Sequence, residues 1–308
     1  MLILTIIIFC IVPIISVPLL IFGACRSKKY KSIYLILLAF VLAIVAYHWI
    51  PTQEFDLYRY YNILEKMRKI NFHEFLTIYM NKKEIISNIL FYLISKISQN
   101  NSLLQFFTTF LGYGIIFYIL EDYTKEKKYD NIIFTVALFY VISSFRYITF
   151  ISGIRNTLAV IIFALGIYLE YIKKEKKWKC NLLYVSAIFI HISSLLILIL
   201  KLIYTYIFKE KINLKRIIII SSIFLIPEIL VYIINKFSNI TIFSNLYKMY
   251  LAYFINGAQF DALTGGNILI MNIVRALFCI LLYYLNKDKN NKVNNYVLYL
   301  IVVLLAIT

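Results

Sequence analysis

The chain has 308 residues, 62% of them hydrophobic, and a mean hydropathy of +0.81. That composition excludes a soluble enzyme or binding module and defines a polytopic membrane protein, because apolar runs of about 20 residues, enough to cross about 30 Å of hydrocarbon as a helix, recur from end to end. The net charge of +17 does not indicate nucleic acid, since most lysines sit in short segments between apolar runs, where membrane orientation accounts for them.

Leu2 to Gly23 reads as the first span, and Arg26, Lys28, Lys29 and Lys31 then place a loop in the cytoplasm and the N-terminus outside. Phe22-Gly23-Ala24-Cys25 faintly resembles a lipoprotein cleavage box, but no basic residue precedes the run, so a retained helix is expected. Ser32 to Ile50 returns to the outer face, with Trp49 at the interface and Pro51 ending the helix. The segment 51–84 is therefore external. It mixes charges with aromatics, as in Glu54-Phe55-Asp56-Leu57-Tyr58-Arg59-Tyr60-Tyr61, and Leu57, Tyr60, Tyr61 and Leu64 have the spacing of an amphipathic helix lying on a surface.

Ile85 to Ser98 is too short for a full span and is expected to be re-entrant or interfacial, whereas Leu103 to Leu120 crosses. Counting both as crossings puts Lys125, Lys127 and Lys128 outside, against the charge rule. Asn131 to Ser143 then runs outward, a turn from Arg146 to Arg155 lies at the outer face, and Ile154 to Ile172 leads back to the cluster Lys173 to Lys179. Cys180 to Phe208 exceeds one span. A hairpin turning at His191 keeps the flanking lysines on one side and puts His191 at the outer face.

Ile217 to Asn235 crosses with Pro227 and Glu228 inside it, a pairing that suggests a kink lining a cavity. The second external segment, 236–267, is rich in aromatics and carries Gly265-Gly266, and Ile268 to Leu285 returns with Arg275 in mid-span. Tyr296 to Thr308 begins a last helix that stops short, as a shortened C-terminus or an incomplete chain would. The expected architecture is all-α: one integral membrane domain over 1–308, a polytopic transmembrane bundle of about 9–11 membrane helices including short or re-entrant ones.

Arginines near hydrocarbon persist where they snorkel, pair or face a watery cavity, so Arg146 and Arg155 are candidate anion ligands whose planar forks suit phosphate or pyrophosphate. Snorkelling to lipid headgroups is their bland alternative, and for Arg275 it is pairing with Glu228. His191, followed by Ser193 and Ser194, has the chemistry of a general base, or is a satisfied structural histidine. Glu54 and Asp56 are external carboxylates able to take a proton or bind an arginine such as Arg59, or are simply solvated. The scattered Cys10, Cys25, Cys180 and Cys279 suggest neither disulfides nor a metal site, and no phosphate loop, serine elbow or H-E-x-x-H is present.

Three stretches together resemble the EpsG-type, Wzy-like polymerases of bacterial capsule, exopolysaccharide and O-antigen synthesis. They are Glu54 to Tyr61, the turn Ser152-Gly153-Ile154-Arg155-Asn156-Thr157-Leu158-Ala159, and Ile190-His191-Ile192-Ser193. The resemblance implies glycosyl transfer between undecaprenyl-pyrophosphate-linked oligosaccharide repeats at the outer face of the cell membrane, with no cofactor, metal or nucleotide sugar. It also implies partners in the bilayer, a flippase and a chain-length regulator, and no nucleic acid. In that reading Arg155, Arg146 and Arg275 neutralise the pyrophosphate, His191 or Asp56 deprotonates the acceptor hydroxyl, and Glu54 and Arg59 touch substrate. A lipid-linked oligosaccharide flippase and an O-antigen ligase are the rival readings.

Overall fold

A computed structural model describes residues 1–80, 84–144 and 147–207. The chain divides into two compact units, Met1–Leu198 and Ile199–Thr308, and the first is described by itself. Within the described residues the secondary structure is helical throughout. The expected first span is broken: α1 (Leu2–Ile11) ends at Val12 in an extended conformation, a 3-10 turn occupies Pro13–Ser16, and α2 (Val17–Arg26) follows. Pro13 is the cause, because a proline supplies no N–H to the helix ladder and drives the residue before it out of the α region. Pro18 falls in the first turn of α2, where no ladder donor is needed.

Helix α3 (Lys31–His48) is followed by α4 (Asp56–Lys69), α5 (Phe72–Tyr79) and α6 (Ile85–Ile97), then α7 (Leu103–Glu126), α8 (Asn131–Ser144) and α9 (Tyr147–Ser152). Helices α10 (Ile154–Tyr171), α11 (Lys177–Ile190) and α12 (Ser194–Ile207) complete the described chain. Among these, α3, α7 and α10 are long and apolar enough to cross a membrane. They form the frame: α3 lies along α7, α7 along α10, and α10 along α11, with α2 against α3. Close approach depends on small residues. A Cβ at Gly112 of α7 would sit 2.7 Å from the Phe150 ring, and one at Gly166 of α10 would sit 2.7 Å from the Tyr184 ring of α11.

The two ends of this frame differ in charge. At one end Ser32 bonds Glu121 at 2.7 Å, Lys173 pairs with Asp122 at 3.1 Å and Glu126 at 3.2 Å, and Tyr168 bonds Asp122. These contacts gather the basic segments around Lys31, Lys125 and Lys173 to Lys179 at the same end. The opposite end is covered by α4, α5 and α6. Leu57, Tyr60, Leu64 and Met67 are buried against Phe75, Phe91, Tyr92, Leu104 and Ile154, so the amphipathic stripe expected of α4 faces this layer. Gln105 of α7 fastens it down, donating to the carbonyls of Ala46 and Trp49 and accepting the Tyr61 hydroxyl at 2.6 Å.

Helix α6 begins and ends within this layer. Glu84 precedes it beside α10 and α11, while Lys96 in its last turn donates to the Arg68 and Ile70 carbonyls at the end of α4. The chain then reaches Asn100, which bonds the Tyr47 hydroxyl at 2.6 Å near the end of α3. Both ends of α6 thus lie on the side of α4 and α5, away from the segments around Lys31, Lys125 and Lys173 to Lys179, as expected of an interfacial or re-entrant segment.

Candidate functional site

Three segments meet where α6 and α10 begin and α11 ends. Gly153 starts α10 and places Arg155 in its first turn. At the other side of the junction α11 stops at His191, whose backbone is extended, and turn bonds from Ser194 and Leu195 to the carbonyls of His191 and Ile192 lead into α12. The helix break expected at His191 is therefore present. Ser193 donates to Asn156 at 3.0 Å, tying the break to the first turn of α10.

Glu84 joins the two. One carboxylate oxygen accepts from an Arg155 terminal nitrogen and the other faces His191 Nδ1. The side chains of Glu84, Arg155 and His191 are 13%, 26% and 28% exposed, so the cluster is recessed yet reachable. Glu84 holds a left-handed backbone, φ 69° and ψ 45°, unusual for a non-glycine residue. Its carbonyl accepts from Ser87 at 2.9 Å.

The Arg155 guanidinium lies over the Tyr60 ring at 4.7 Å, a cation–π seat supplied by α4. Burial pushes the Tyr60 phenol up, opposed by the charge of Arg155 and reinforced by Asp56 and Glu84. The Arg155 Nε is buried without a hydrogen-bond partner among the described residues, as is the Ser194 hydroxyl.

With Nδ1 turned to a carboxylate, a neutral His191 carries its proton there and presents Nε2 as the acceptor. The arrangement therefore offers a base and a cation side by side. Among the described residues no three His, Cys, Asp or Glu side chains come together in the manner of a metal site.

Of the residues singled out in the sequence, Arg155 and His191 are brought together. Asp56 pairs with Arg59 on the exposed start of α4, one turn before Tyr60, and Glu54 is exposed in the turn ahead of it. Arg146 and Arg275, with Glu228, lie outside the described residues. Glu84 was not anticipated. The available signal was modest: it is the single carboxylate between Glu74 and Glu121, set directly before an apolar run.

The frame, with ionisable residues gathered at both of its ends and a recessed charged junction at one of them, defines an all-helical membrane protein. A model of the EpsG family matches residues 52–308, from the lead into α4 to the last residue, and the chain belongs to that family. Membership places the protein in polysaccharide biosynthesis with a polymerase-type role. No curated protein and no solved structure matches the chain.

Proposed function

We propose that this protein joins undecaprenyl-pyrophosphate-linked oligosaccharide repeat units into a polymer at the outer face of the cell membrane. The observation that carries the reading is the Glu84–Arg155–His191 cluster, which sets a candidate base beside a candidate diphosphate ligand at the membrane edge. The end with the basic segments around Lys31, Lys125 and Lys173 to Lys179 supports the orientation: the positive-inside rule favours it in the cytoplasm and the cluster outside.

In this reading the acceptor sugar hydroxyl attacks the anomeric carbon of the donor glycan, and the bond from that carbon to the pyrophosphate oxygen breaks. His191 Nε2 receives the hydroxyl proton while Glu84 holds the ring and stabilises its charge. The electron pair leaves on the pyrophosphate, where Arg155 offsets the developing negative charge, a role the family resemblance extends to Arg146 and Arg275. Direct displacement inverts the anomeric centre. In the same reading Glu54 and Arg59 touch sugars, and Asp56 is the alternative base.

The test is deletion in the host and complementation with wild type, Arg155→Ala and His191→Ala, with glycans resolved by size. Wild type restores long polymer, while each variant, inserted at normal abundance, accumulates single lipid-linked repeats. Normal polymer length in both variants overturns the proposal. Repeats retained on the inner leaflet identify a flippase instead, and polymer that forms but is not passed to its final acceptor identifies a ligase.

A further inference from the structure

We infer that Glu84 is an exchangeable counter-anion: it competes with the substrate diphosphate for Arg155, and on yielding Arg155 it remains the positioning residue for His191. The inference rests on the proposed diphosphate reading of Arg155 and adds a residue and a regulatory step to it.

The geometry supplies the argument. Glu84 spans two partners with one carboxylate, an oxygen to each, so it can lose one without losing the other. Arg155 has further capacity: Glu84 takes a single terminal nitrogen, and a guanidinium binds a phosphate best through two parallel donors. An incoming diphosphate therefore gains a donor that Glu84 does not use, and it approaches the same guanidinium, where two anions repel.

Two features of the surroundings suit such an exchange. Tyr60 seats the guanidinium at 4.7 Å whichever anion binds its edge. The start of α10 has no side-chain cap, and Arg155 lies in the first turn of this 18-residue helix, where the helix dipole favours an anion. Glu84 meanwhile sits at a left-handed backbone position that glycine or asparagine would adopt more easily. A glutamate held there is accounted for by its side chain rather than its backbone preference.

The experiment uses the full chain in lipid nanodiscs, titrated calorimetrically with farnesyl diphosphate, for wild type, Glu84→Gln, Glu84→Ala and Arg155→Gln. Removing the competing charge tightens binding by roughly fivefold, the scale of releasing one partly exposed ion pair. Glu84→Gln and Glu84→Ala both show it, so loss of folding in one does not decide the matter. Polymer made in cells by the same two variants falls, because His191 has lost its carboxylate. Affinity rising while product falls is a split that a merely structural ion pair does not give.

Unchanged or weaker binding in both Glu84 variants, with wild-type binding still abolished by Arg155→Gln, overturns the counter-anion role and leaves the diphosphate site standing. Wild-type binding that survives Arg155→Gln, or no binding at all, overturns the Arg155 site itself and this inference with it.

Discussion

Gly166 gives the most direct test of how the helix frame sets the site. A Cβ there would lie 2.7 Å and 3.1 Å from ring atoms of Tyr184 and 3.3 Å from the Cβ of Leu183, inside ordinary carbon contact. The Tyr184 ring cannot swing aside, since it is buried, lies 4.6 Å from the Phe163 ring, and donates to Glu170 at 2.6 Å. Gly166→Ala therefore forces α11 away from α10. Gly114 in α7 is the matched control, because nothing lies within 4 Å of a Cβ built on it. The same substitution at two helical glycines carries the same gain in helix propensity, about 1 kcal/mol, so the difference between the variants isolates the overpacking cost of about 1–3 kcal/mol. Thermal unfolding in one detergent should place Gly166→Ala several degrees below Gly114→Ala, on the scale of about 2–4 °C per kcal/mol for a chain of somewhat smaller size. Because α10 and α11 carry Arg155 and His191, polymer yield from Gly166→Ala should also fall. Equal midpoints for the two variants refute the reasoning.

Two further expectations concern the site and its supporting layer. His191→Gln should lower polymerisation about 100-fold or more, the scale of a positioned general base, while Asp56→Asn lowers it no more than a few-fold; the reverse ranking, read from glycan size ladders at matched abundance, makes Asp56 the base. Burial raises the Tyr61 phenol above its usual value, partly opposed by its bond to Ser102, and a phenol raised in this way stabilises the fold below pH of about 10 and loses that contribution as pH climbs through its folded value. Tyr61→Phe should therefore cost about 1 kcal/mol near neutrality, by leaving Gln105 without that donor, and flatten the alkaline loss of stability seen in melts from about pH 9 to 11.

The parts of this fold that were legible in the sequence are those encoded locally. The stripe Leu57, Tyr60, Leu64 names its own buried face, and Leu103 and Ile154 open runs whose length alone marks spans. The break at His191 was readable because the run from Cys180 is too long for one crossing and the lysines on both sides had to share a side. The break in the first span was missed because an apolar run of the right length masked the consequence of Pro13. Glu84 was missed for a different reason. Its partners lie 71 and 107 residues away, and a carboxylate before an apolar run looks the same whether it is solvated or recessed. The role of Tyr60 was half legible: its helical phase said buried, and only the tertiary fold said that its ring lies under a guanidinium.

The charges of the junction explain why it can exist where it does. A lone guanidinium recessed at the membrane edge is costly, and a neighbouring carboxylate is what makes it tolerable while the protein inserts and packs. The same pairing constrains what can displace that carboxylate. A neutral glycan brings no charge to Arg155 and leaves the Glu84 contact in place, whereas a diphosphate replaces one anion by another and keeps the guanidinium compensated throughout. If the exchange operates, the junction selects for the linkage between lipid and sugar rather than for the sugar itself. Sugar selectivity then has to come from surfaces around the junction, and the start of α4, with exposed Glu54 and Arg59 one turn from the Tyr60 seat, is the adjoining surface with the polar groups to provide it.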